Sequence, residues 1–163
     1  MPNVLIYDYG GNTGSLQRAL RRLGATFDPP YSHVIYPGQG RWPGIMDYVT
    51  GPSMLGICLG FQVLCRGSDE GLGAGIGIFR GWVRKLPVAP LPHIGWNTIE
   101  GYGDFYFCHS YAVMESPDAI GWTEYKGCRF VSLMQRGNIW GIQAHPEKSG
   151  DAGMAYLERF LKC

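Results

Sequence analysis

The hydrophobic pattern divides the chain into two textures. Val4-Leu5-Ile6-Tyr7 and His33-Val34-Ile35-Tyr36 are unbroken runs, and Met54-Leu55 leads a third into Gly56. Such runs lack the alternation of a half-wet strand and predict parallel strands buried on both faces. Between the first two, Leu16, Ala19, Leu20 and Leu23 recur at i, i+3, i+4 and i+7, one face of a helix. Asn12, Thr13 or Ser15 stands where it can cap the start, and Gly24 where it can end the helix. Strand followed by amphipathic helix is the first half of a βαβ unit. Residues 25–31 carry Pro29-Pro30 and predict a poor edge strand or a loop. Residues 43–49 leave room for a short helical stretch before Gly51-Pro52. Beyond Gly81 the pattern turns to short strands at 82–86, 105–108, 129–134 and 139–143. Gly101-Tyr102-Gly103 and Arg136-Gly137-Asn138 separate some of them. Met154, Leu157 and Leu161 line one side of a closing helix over 151–162.

This order predicts a mixed α/β domain with a parallel core and an antiparallel later portion. A length of 163 residues, 45% hydrophobic, suits one domain with a real core spanning 1–163. The net charge is +1 with Lys and Arg scattered, so a nucleic-acid partner is not expected. Five cysteines without a C-x-x-C pair predict neither a disulfide framework nor a metal site. No apolar run is long enough to span a membrane, and a reducing cytoplasm is the expected compartment.

The chemistry gathers at Gly56-Ile57-Cys58-Leu59-Gly60, where a strand meets Phe61-Gln62-Val63-Leu64 at helical spacing. A cysteine between such glycines is the thiol form of a nucleophile elbow. The glycines let the two arms approach closely. The helix start points free N–H groups at the thiol and favours its ionised form. A thiol needs a base, and His33, His93, His109 and His145 are available. His145 is the best placed, behind the strand at 139–143 and within Ala144-His145-Pro146-Glu147. In extended chain, positions i and i+2 share a face, so Glu147 lies beside the imidazole. Cys58, His145 and Glu147 are thus the expected nucleophile, base and orienting carboxylate.

The stretch Gly56 to Gln62, together with His145-Pro146-Glu147-Lys148-Ser149-Gly150, resembles the class I (triad) glutamine amidotransferases. Asp8-Tyr9-Gly10-Gly11-Asn12, Pro92-His93-Ile94-Gly95-Trp96-Asn97 and Phe105-Tyr106-Phe107-Cys108-His109-Ser110-Tyr111 narrow the resemblance. They are similar to the glutaminase subunits of imidazole glycerol phosphate synthases, which serve histidine biosynthesis. The resemblance implies a flavodoxin-like parallel sheet flanked by helices, with an added antiparallel portion. It implies that Cys58 attacks the side-chain amide of glutamine, with Leu59 and Gln39 giving the oxyanion N–H groups. Gly40, Gln62, Glu70, His109, Ser110 and Tyr111 match positions lining the glutamine pocket. The implied partner is a (βα)₈-barrel cyclase in a heterodimer, facing Asn12, Trp96 and Asn97, and no cofactor is implied. Two alternatives stay open: a paralogous subunit feeding ammonia to a sugar amidotransferase, and a catalytically weakened docking subunit. The chain departs from the family pattern by being short at 25–32 and 41–53. The Asp8 to Asn12 loop is one residue short. Ala144 stands where a bulky aromatic is common, and Phe61 where Met or His is common.

Overall fold

In the computed structural model, which describes residues 1–7, 12–38, 40–43 and 47–163, the first apolar runs become parallel strands. They are β1 (Val4–Ile6), β2 (His33–Tyr36) and β3 (Ser53–Ile57), hydrogen-bonded in that order. Helix α1 (Gly14–Arg22) joins the first two, and α2 (Leu59–Val63) follows the third. Every residue of β2 and β3 is buried, as an unbroken apolar run requires. Their side chains alternate between two cores. Ile35, Leu55 and Ile57 join Leu16, Ala19 and Leu20 of α1 in one cluster. Val34, Tyr36 and Met54 join Phe61 and Leu64 in the other.

The later chain adds β4 (Gly67–Ser68), β5 (Trp82–Lys85) and a separate hairpin of β6 (His93–Ile99) and β7 (Gly103–His109). Then come β8 (Tyr111–Val113), β9 (Ala119–Tyr125), β10 (Cys128–Arg136), β11 (Ile139–Ile142) and the closing helix α3 (Gly150–Leu161). The large sheet runs β1-β2-β3-β11-β10-β8-β5-β4, with β9 also on β10. Strand β11 is the seam, parallel to β3 and antiparallel to β10. On the outer edge of β1, Thr26 makes a single parallel bridge to Asn3. That remnant of a second strand gives the flavodoxin-like order. The α/β expectation therefore holds, with the antiparallel part formed by the later strands.

The Pro92 to Asn97 motif supplies strand β6, and the sequence pattern marked none of β6, β8 and β9 as a strand. Of the short helical stretch expected over 43–49, residues 44–46 lie outside the described residues, and those described on either side are not helical. The described part of the crossover is tied down by side chains. Tyr36 Oη donates to Val49 O and accepts from Val49 N, both at 2.9 Å, while Tyr7 Oη donates to Asp47 O at 2.6 Å. Asp8, Tyr9, Gly10 and Gly11 lie outside the described residues, as does Gln39. Among the described residues no helix is long and apolar enough to cross a membrane.

Candidate active site

Cys58 occupies the turn between β3 and α2, at φ 50° and ψ −106°. A non-glycine residue there stores about 1–3 kcal/mol of strain, tolerated where the surroundings over-determine the turn. The surroundings do so here. A Cβ on Gly56 would sit 2.6 Å from Phe61 Cα, and one on Gly60 would sit 2.0 Å from Tyr36 O. Both glycines are thus required by backbone approach. Cys58 N donates to Ile142 O at 2.8 Å, which clamps the elbow to the end of β11.

The end of β11 leads directly to His145. Its N donates to Tyr106 O at 2.8 Å, and its carbonyl accepts from Ser149 Oγ at 2.5 Å. The same hydroxyl accepts from Tyr106 N at 2.9 Å. His145 is therefore fixed against β7 before its ring is considered. Glu147 Oε1 lies 3.0 Å from His145 Nδ1, with both side chains buried. Residues Pro146–Lys148 form a 3₁₀ turn rather than extended chain, yet the pair still meets. A Cβ built on Gly38 would lie 2.8 Å from Cys58 Cβ and 2.9 Å from His145 Cε1. The thiol and the imidazole are thus neighbours on either side of Gly38. Burial alone would push the His145 pKa down. Interactions with Cys58 and with Glu147 outweigh burial and hold the His145 pKa well above its ordinary range. Glu147 Oε2 is buried with no hydrogen-bond partner among the described residues.

In front of Cys58 lies a cavity of about 280 Å³, near the small end for ligand sites and suited to one amino acid. Gly40, Leu59, Gln62, Glu70, His109, Ser110 and Tyr111 all line it, as do Gly38 and Cys108. The structure thus brings together every described pocket residue that the sequence suggested. Their availability differs. Gln62 Nε2 already donates to Tyr111 O at 2.9 Å and to Gln143 Oε1 at 3.1 Å. Both ring nitrogens of His109 are engaged, Nδ1 with Tyr111 O and Nε2 with His93 Nδ1, each at 2.9 Å. His109 shapes the wall and leaves no ring nitrogen free for a ligand. Partial burial raises the Glu70 pKa, opposed by the Trp42 backbone and by Arg41.

Sequence reasoning missed Gln143. It is fully buried, and its Nε2 approaches Cys58 Sγ at 3.6 Å. The thiol in turn faces Cys108 O at 3.7 Å. The residues expected at a partner face also separate. Trp96 is 60% exposed and edge-on to Tyr106, so it stands ready for contact. Asn12 is exposed, its Oδ1 accepting from Gly14 N. Asn97 turns inward, donating to Glu124 O at 2.8 Å and meeting His93 Nε2 at 3.2 Å.

The family model "Glutamine amidotransferase class-I" matches residues 37–163. The "Imidazole glycerol phosphate synthase subunit HisH" of Deinococcus radiodurans is 37% identical, over 99% of this chain and 94% of its own. The protein of that name from Pyrococcus furiosus is 37% identical, over 99% of this chain and all of its own. The Deinococcus alignment spans 201 positions, more than this chain has residues, so the chain lacks stretches present in that relative. Among solved structures, a glutamine amidotransferase superposes with TM-score 0.68 at 14% identity, covering 98% of this chain and 99% of its own. A second glutamine amidotransferase, from Thermotoga maritima, superposes with TM-score 0.60 at 15% identity, covering 99% of this chain and 83% of its own. These two share the fold.

Proposed function

Because this chain belongs to the class I glutamine amidotransferase family, alongside the HisH subunits of imidazole glycerol phosphate synthase, we propose that Cys58, His145 and Glu147 form its catalytic triad. The reaction is hydrolysis of glutamine to glutamate and ammonia, and the ammonia serves histidine biosynthesis. One observation carries the triad: a thiol on a strained elbow with a buried His–Glu pair beside it, both just beyond the ends of the adjacent strands β3 and β11.

The Cys58 thiolate attacks the side-chain amide carbon of glutamine. The tetrahedral oxyanion takes the Leu59 N–H, with Gln39 the second donor expected from the family pattern. Such donors are worth roughly 3–4 kcal/mol of barrier each. His145, as the imidazolium beside the Glu147 carboxylate, protonates the departing ammonia, and collapse of the tetrahedral intermediate leaves a thioester on Cys58. Now neutral, it takes a proton from water, whose hydroxide attacks the thioester and frees glutamate. Glu147 accepts from His145 Nδ1, which aims Nε2 at the thiol side. Glu70 and Gln62 line the same cavity and match the family positions that hold the amino-acid end of glutamine, and Gly40, Ser110 and Tyr111 complete the wall.

Ammonia passes to a (βα)₈-barrel cyclase subunit, docked over Trp96 and Asn12 in a cytoplasmic heterodimer. The whole chain acts as one amidotransferase domain. The test is ammonia release from glutamine, measured with and without the cyclase and its ligand. Wild type should release ammonia, faster with the liganded partner, and Cys58→Ala should release none while keeping its thermal midpoint. Ammonia release by Cys58→Ala at the wild-type rate would refute the triad.

A further inference from the structure

His93 is buried in the hairpin, outside the glutamine cavity, and the triad makes no use of it. Its ring is stacked on Tyr125 at 4.1 Å and on Phe107 at 4.8 Å between centroids, both at 21°. That stacking fixes the ring plane and aims its nitrogens along one line. Nδ1 meets His109 Nε2 at 2.9 Å, and Nε2 meets Asn97 Nδ2 at 3.2 Å.

The proton positions along this line follow from one end. Tyr111 O can only accept, so His109 carries its proton on Nδ1. His109 Nε2 is then an acceptor, which requires the His93 proton on Nδ1. His93 Nε2 must in turn accept, and Asn97 Nδ2 is a donor. The direction is unique and every buried nitrogen is satisfied. Burial keeps both rings neutral at physiological pH, driving His93 down to about 4 and His109 to about 3. Beyond Tyr111 O the line continues through Gln62 to Gln143 and ends at Cys58 Sγ.

We infer that His93 is a positioning residue for the glutamine pocket: by donating to His109 it locks the ring that holds the Tyr111 carbonyl and, through that carbonyl, Gln62. The inference rests on the glutaminase reading for its kinetic consequence, and its hydrogen-bond direction can be read without any turnover. Remove the donor at His93 and His109 Nε2 is left buried without a partner. The ring can then flip or change tautomer, and it releases Tyr111 O when it does.

Two measurements test this. Histidine-selective ¹⁵N spectra of the full chain should show both His93 and His109 protonated on Nδ1. An Nε2–H signal from either ring would overturn the relay. In steady-state glutamine hydrolysis, His93→Leu should raise KM about tenfold, the worth of one positioning hydrogen bond, with kcat within about threefold of wild type. His93→Gln can donate from its amide nitrogen and accept at its oxygen, and should return KM to near the wild-type value. Equal KM for the two variants, or a KM change that follows only the thermal midpoint, would overturn the inference. Should the variants fail to fold, the wild-type spectra still decide it. No ammonia from the wild-type chain, with or without cyclase, would instead overturn the glutaminase reading.

Discussion

Gly60→Ala puts the elbow under direct load. The new Cβ would lie 2.0 Å from Tyr36 O and 2.5 Å from Tyr36 C, where ordinary contact begins at 3.4 Å. The obstacle is backbone, so no flexible side chain can move aside. Either α2 or the end of β2 must retreat by more than 1 Å. In a packed core such overfilling costs about 1–3 kcal/mol. The functional loss should be larger in proportion. Tyr36 immediately precedes the Pro37-Gly38 segment that lies against Cys58 and His145, so the retreat opens the proposed triad. A misplacement of that size costs about 100-fold in rate. The assay is kcat/KM for glutamine alongside a thermal melt. Gly24→Ala supplies the control: its φ is +82° with open space around it, so it should cost about 1 kcal/mol of stability through backbone strain and leave activity intact. A Gly60→Ala protein that is folded and within threefold of wild-type kcat/KM would refute the reasoning.

Other outcomes follow from individual contacts. Trp96→Ala removes an exposed ring, so stability should change by no more than about 0.5 kcal/mol, while stimulation by the liganded cyclase falls several-fold; unchanged stimulation would remove Trp96 from the interface. Asp118 is buried and held by Arg80 through both side-chain oxygens, and that hydrogen bonding, ahead of the opposing burial, depresses its pKa. A depressed carboxylate contributes stability that is present above its unfolded pKa of about 3.9 and is lost as pH falls through the folded value. The wild-type advantage over Asp118→Asn in urea melts should therefore be full at neutral pH and shrink below about pH 4; an advantage constant down to pH 2 would show that the carboxylate charge is not the cause.

The elbow and the His–Glu pair were legible because their spacing is local. Two glycines around a cysteine specify a close approach wherever they occur. A glutamate two places after a histidine reaches it in extended chain and, as observed, in a 3₁₀ turn. Strand β6 was hidden by an inverted pattern. Its apolar Ile94 and Trp96 face solvent, whereas polar His93 is buried and Asn97 bonds inward. Period-two reasoning assumes the opposite. Gln143 and the His93–His109 pair were illegible for a deeper reason. A buried polar side chain has meaning only through partners far along the chain, and no local pattern names them. The crossover before β3 shows a third limit: Tyr36 Oη and Val49 fasten its described part through two hydrogen bonds that composition does not announce.

The seam at β11 has a bearing on how the protein is made. Cys58 directly follows β3, but the strand that brings its proposed base is paired beside β3 only after the antiparallel part of the chain exists. Gln143 and Cys58 touch across 85 positions. Pairings so remote are slow to form, because the intervening chain must close first. During synthesis, a ribosome-bound chain that has not yet reached β11 carries the thiol without His145 or Glu147. Such a chain lacks the residue that the proposed mechanism uses as both acid and water-activating base. On the proposed mechanism, hydrolytic competence therefore waits for β11 and the turn that follows it.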